Sequence, residues 1–134
     1  MKKTLISIAA VLALSTTAFA ADNYKLTVTP PTAAKKGQPA VARVHVEGTN
    51  GYIVNIDYPA ALAITPPAGV TVTKAKQSQS DAVVRKTTGM DFDITFTSAD
   101  AGTKAFNGEI KFAVATAKDN SPITAKIAFS ADVK

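Results

Sequence analysis

The stretch Met90-Asp91-Phe92-Asp93-Ile94-Thr95-Phe96-Thr97 decides how this chain folds. Met90, Phe92, Ile94 and Phe96 fall on one side of an extended backbone and Asp91, Asp93, Thr95 and Thr97 on the other. That is the period of a strand with one buried and one wet face. The same alternation recurs in both directions along the chain. Tyr24, Leu26 and Val28 alternate with Lys25, Thr27 and Thr29, and Pro30-Pro31 ends that run because proline has no N–H to give a ladder. Ala42, Val44 and Val46 oppose Arg43, His45 and Glu47. Downstream, Ile110, Phe112 and Val114 line one face, and Ile123, Ala125, Ile127, Phe129 and Ala131 line another.

Between these runs the chain reads as turns and short pieces. Lys35-Lys36-Gly37-Gln38-Pro39 is a turn by composition, and Gly48-Thr49-Asn50-Gly51 breaks a strand and leads into Tyr52-Ile53-Val54. Leu62 with Ile64, and Val70 with Val72, read as short strands. Residues 77–82 are polar and read as loop, Val83-Val84 opens a piece that pairs with the following strand across residues 86–89, and residues 98–102 are a turn-rich break. No segment beyond residue 20 carries a sustained helical period. About seven to nine short strands at this spacing predict an all-β chain, an antiparallel β-sandwich of immunoglobulin-like type. It would lack the usual core disulfide and tryptophan, since the chain has no Cys and no Trp. A small barrel or a jelly roll is the alternative.

The amino terminus reads as a leader. Lys2 and Lys3 precede an apolar run over residues 5–14, and Ala18-Phe19-Ala20 puts small residues at −3 and −1 of a cleavage site before Ala21. The apolar run falls short of the roughly 20 residues a membrane-spanning helix needs. The expectation is a signal peptide over 1–20, a single domain over 21–134 with no transmembrane segment, and delivery to a periplasm or the exterior. Without a cysteine after the leader, no thioether lipid can anchor the chain. Disulfides commonly stabilise small exported domains, but a chain of this length buries enough surface to fold without them.

Composition excludes more chemistry than it suggests. The 15 Lys and Arg against 10 Asp and Glu give +5, and losing Lys2 and Lys3 with the leader lowers this to +3. The lysines are scattered, whereas a nucleic-acid reader clusters basic residues on one face. Thiol redox catalysis and zinc–thiolate sites need a thiolate and are excluded. The single histidine, His45, sits mid-strand on the polar side. With no Gly-x-Ser-x-Gly elbow in the sequence, it reads as a cross-strand surface residue rather than a general base. Asp91 and Asp93 share a face and, with Asp100 or Asp119, offer oxygens to calcium, but calcium needs six to eight oxygens in one place. Copper has only Met90 and His45 as soft or imidazole ligands beyond the leader. No catalytic residue, metal or cofactor is therefore expected.

The most distinctive segment is Gly51-Tyr52-Ile53-Val54-Asn55-Ile56-Asp57-Tyr58-Pro59. Tyr52 and Tyr58 flank a polar patch holding Asn55 and Asp57. Tyrosines give a recognition loop large contact area with a polar end, and beside turns they also serve as core-edge packing. Together with Pro67-Ala68-Gly69-Val70 and Gly108-Glu109-Ile110-Lys111-Phe112-Ala113-Val114 leading to Ser121-Pro122, this segment resembles the amino-terminal periplasmic domain of the thiol:disulfide interchange protein DsbD. The resemblance covers roughly residues 40–133, in order and at similar spacing. It implies an immunoglobulin-like sandwich and a redox cysteine pair at Ala115 and Asn120, both substituted here, so the electron-relay activity does not carry over.

What remains is an expectation of an exported, non-enzymatic binding or accessory domain for a periplasmic protein or small ligand. Its expected surface is Tyr52, Asn55, Tyr58, Ala115, Lys118, Asn120 and Pro122. A structural or assembly role through an exposed edge strand, and an enzyme of unrecognised type, are the alternatives.

Overall fold

In the computed structural model, which describes residues 17–134, the face Met90/Phe92/Ile94/Phe96 lies buried between two antiparallel sheets. The first sheet runs β1 (Thr17–Ala20), β2 (Tyr24–Thr29), β3 (Ala40–Gly48), β9 (Gly89–Ser98), β6 (Val70–Val72), with β8 (Val84–Lys86) also on β9. The second runs β11 (Asn120–Val133), β10 (Gly102–Ala115), β5 (Ala61–Thr65), β7 (Lys76–Ser78), with β4 (Ile53–Val54) also on β10. Every ladder between these strands is antiparallel. Two sheets packed through their apolar faces make the immunoglobulin-like β-sandwich that the alternation predicts. No helix among the described residues is long and apolar enough to cross a membrane.

The core is the sum of the inward faces. Phe92 and Phe96 of β9, Phe106, Ile110 and Phe112 of β10 and Ile127 of β11 belong to one core cluster, all almost fully buried. Phe106 stacks on Phe129 at 4.6 Å between centroids and lies tilted against Phe96 at 4.7 Å, which ties the two sheets together. Tyr24 meets Phe112 edge to face at 5.5 Å. Gly108 lets β5 come close: a Cβ there would stand 2.4 Å from the Ala63 carbonyl oxygen.

Two features depart from the sequence reading. The described residues hold eleven strands, above the predicted seven to nine, because β1 lies within the expected leader and β4 has only two residues. In addition, part of the expected loop over residues 77–82 is strand. Gln77 is buried in β7, and its side-chain amide donates to the Asp93 carbonyl at 2.8 Å. β6 and β8 pair with the two ends of β9 and leave its middle without a strand on that side. A polar side chain fills the gap because a buried carbonyl must find a donor. The expected leader lies mostly outside the described residues, and its last four residues are seen as β1, paired with β2.

Candidate functional site

The corner singled out by sequence is built by a turn at one end and a hairpin at the other. Thr49-Asn50-Gly51-Tyr52 is closed by the Tyr52 N–H donating to the Thr49 carbonyl at 3.1 Å, with φ of 54° at Asn50 and 87° at Gly51. Two positive φ values in succession make a type I′ turn, which Asn-Gly adopts at least cost. Gly48 permits the fold-back, since a Cβ there would overlap the Tyr52 carbonyl. The turn carries the chain from β3 in the first sheet to β4 in the second.

β4 lies on the end of β10, with Ile53 opposite Ala115 and Val54 opposite Val114. On the other side of β10, Ala115 is the cross-strand partner of Asn120. The Thr116 N–H donates to the Asp119 carbonyl at 2.9 Å and the Asn55 N–H to the Ala113 carbonyl at 2.9 Å. Thr116 thus turns its backbone groups to β11, and Ala113 and Ala115 turn theirs to β4. The Ala115–Asn120 pair is therefore of the non-hydrogen-bonded kind, in which Cα atoms stand about 4.5 Å apart and side chains are closest.

Asn55 and Asn120 join directly, the Asn55 side-chain amide donating to the Asn120 side-chain oxygen at 2.8 Å. Asn55 also accepts from the Asp57 N–H at 3.0 Å, an Asx turn that shapes the loop. Lys118 lies exposed at the hairpin tip, where the Thr116 hydroxyl accepts from the Lys118 and Asp119 N–H groups. Pro122 is exposed and opposite Ala113. Tyr52 is half-buried against the core, and Tyr58 is half-buried in the loop. The structure thus gathers Asn55, Ala115 and Asn120 into direct contact or pairing and sets Lys118 and Pro122 on the same hairpin.

Sequence reasoning missed Ile53 as a surface group. It is 50% exposed although it lies in an apolar triplet, because β4 pairs on one side only and turns Val54, not Ile53, into the core. The signal was the parity of the triplet: Val54 buried requires its neighbour outside.

A second polar cluster lies on the outer face of the first sheet. Arg43 makes a two-point contact with Asp93, at 2.8 and 3.2 Å, and approaches Asp91 at 3.7 Å. His45 contacts Asp91 through Nδ1 and Glu47 through Nε2. The hydrogen bond and charge of Asp93 raise the Arg43 guanidinium pKa above its ordinary value. Asp91 and Asp93 are thereby engaged by the cross-strand side chains of His45 and Arg43, and Asp100 and Asp119 belong to turns elsewhere. Gly89 leaves room for the His45 ring, which a Cβ would meet at 2.6 Å. Among the described residues no group of three or more His, Cys, Asp or Glu has metal-binding geometry. An open groove of about 470 Å³ runs over Ala63, Asn107 and Ala128 on the outer face of the second sheet, away from the corner.

No protein-family model matches the sequence, and no curated protein matches it. Among solved structures, the GAE domain of GGA2p from Saccharomyces cerevisiae is similar in fold. Its TM-score is 0.51 at 11% identity, over 86% of this chain and 97% of that chain. The major subunit AggA of aggregative adherence fimbriae type I from Escherichia coli aligns with TM-score 0.43 at 10% identity, over 90% and 96%. A cohesin module from a Clostridium perfringens family 33 glycoside hydrolase aligns with TM-score 0.42 at 10% identity, over 85% and 100%. At such identities the likeness is one of fold. The chain is an immunoglobulin-like β-sandwich, and the corner around Ala115 has to be read from its own residues.

Proposed function

We propose that this chain is an exported, non-enzymatic binding domain whose contact surface is the corner formed by Ile53, Asn55, Ala115 and Asn120. The reading also takes the scaffold to be akin to the amino-terminal domain of DsbD, with its relay cysteines replaced. The observation that carries it is the row Ile53–Ala115–Asn120 across three adjacent strands. An exposed aliphatic side chain, a methyl group and an amide held by Asn55 stand side by side there. Such a row has no nucleophile, base or electron carrier. It offers what a protein contact needs, a small apolar centre with polar groups at its rim. Lys118 and Pro122 extend the rim, and Tyr58 borders it through the loop.

A photo-crosslinker at Asn120, compared with one at Lys126 on the outer face of β11, tests this in cells that make the full chain. A discrete adduct from position 120 is expected, reduced at least tenfold by Ile53→Asp, with none from position 126. Equal adducts from both positions, or an adduct indifferent to Ile53→Asp while thermal unfolding is unchanged, would refute the corner as the contact surface. Export is tested separately by the mass of the chain recovered outside the cytoplasm.

A further inference from the structure

β1 and β2 form a hairpin in which the Ala21 N–H donates to the Tyr24 carbonyl at 2.9 Å. The Thr49 N–H donates to the Asn23 carbonyl at 3.1 Å. Backbone groups alternate in direction along a strand, so Tyr24, Leu26 and Val28 turn theirs to β1, and Lys25, Thr27 and Thr29 turn theirs to β3. The register agrees: Phe19 stands opposite Leu26 and Thr17 opposite Val28. Among the described residues β1 alone lies along that side of β2. Yet β1 is Thr17–Ala20, the end of the segment whose composition marks it for removal.

From this juxtaposition we infer that cleavage after Ala20 uncovers the outer edge of β2 and that a second copy of the mature chain takes it, β2 against β2 in antiparallel. The inference rests on the export reading for the cleavage. Three residues, Ala21, Asp22 and Asn23, would remain ahead of β2, too few to turn and supply a strand in place of β1. The freed N–H and C=O groups of Leu26 and Val28 would then be left to water or to another chain.

The second copy fits by register and by charge. A two-fold axis through Thr27 sets Leu26 opposite the partner's Val28 and Val28 opposite the partner's Leu26, so outward-directed backbone groups meet outward-directed ones. The partner's Leu26 and Val28 take the register positions that Thr17 and Phe19 hold in the hairpin. Lys25, the one charged residue of β2, falls opposite Thr29 of the partner and not opposite itself. Other edges carry the features that deter pairing: Pro122 and Lys126 on β11, and Lys76 on a three-residue β7. β2 has no proline and, over six alternating residues, one charge that its own symmetry avoids. A ladder of this length makes a small interface and a weak, concentration-dependent dimer.

Sedimentation equilibrium on residues 21–134, with amide hydrogen exchange on the same samples, tests the inference. Self-association is expected, with the Leu26 and Val28 amides slowing as concentration rises. T27K should weaken it about tenfold, because two ammonium groups then face each other across the axis, and residues 17–134, which keep β1, should stay monomeric. A folded 21–134 that is monomeric, with Leu26 and Val28 exchanging fast at every concentration, would overturn the inference. Self-association indifferent to both T27K and β1 would overturn it equally, by locating the contact elsewhere. A monomeric 21–134 that instead binds a synthetic peptide of residues 15–20 would keep the free edge and reject the second copy as its occupant. A leader retained on the exported protein would remove the cleavage on which the inference rests and overturn it for the protein in the cell, whatever the bare edge of 21–134 does in the assay.

Discussion

Replacing Ala115 and Asn120 together by cysteine should produce an intramolecular disulfide. The two residues are cross-strand partners at the last rung of the β10–β11 ladder. The hydrogen bonds on either side make this the non-hydrogen-bonded kind of pair, with Cα atoms about 4.5 Å apart. That lies within the roughly 4.4–6.8 Å a disulfide spans. The closed loop runs only from 115 to 120, so chain-entropy arithmetic gives a modest gain of about 2 kcal/mol of the oxidised over the reduced form. For a domain of this size that is a rise of about 8 °C in midpoint. Comparing the two redox forms of one variant cancels the loss of the Asn55–Asn120 hydrogen bond, which costs both forms alike. Thiol titration and mass spectrometry report the bond, and thermal unfolding with and without reductant reports its worth. Free thiols in a folded, air-oxidised double variant would refute the register at this rung and, with it, the alignment that gives these positions to the relay cysteines of the DsbD family.

Phe106→Ala should cost about 3–5 kcal/mol in denaturant unfolding, because it removes the ring shared by Phe96 and Phe129 and leaves a cavity between the sheets. Gly108→Ala should cost about 1–3 kcal/mol, since its Cβ would meet backbone of β5 rather than a movable side chain; unchanged stability would contradict the close approach. Asp81 is held below the usual carboxylate range, first by its hydrogen bond from Lys74 at 2.6 Å and then by the Ser78 N–H at 2.9 Å. Its folded pKa is depressed, so whatever stability it lends is present above the unfolded value and lost as pH falls through the folded one. An NMR titration of its carboxyl carbon should therefore show a low midpoint that rises in Lys74→Ala; an unmoved midpoint would contradict that ion pair.

Ala115 and Asn120 close a short hairpin, and only the ladder makes them direct partners. No local pattern shows Asn55 reaching Asn120, because a contact between residues 65 apart depends on β4 docking against β10. Ile53 escaped notice for a related reason. Parity sets Ile53 and Val54 on opposite sides, but in a two-residue strand only the docking of β4 on β10 decides which of the two faces the core. Parity puts Asp91 and Asp93 on one face, but only register sets Arg43 and His45 beside them.

What the sequence determined by itself was the strand content, the inward and outward faces, and the absence of thiol chemistry. Each of these is local: period two fixes which side chains share a face, and composition fixes which reactions have reagents. Tertiary structure alone decided which strands are neighbours and which edges stay open. Those depend on register between segments far apart in the chain, and no local pattern encodes register. The corner at Ala115, the gap on β9 closed by Gln77 and the covering of β2 by β1 are all of that kind, and they carry the functional reading.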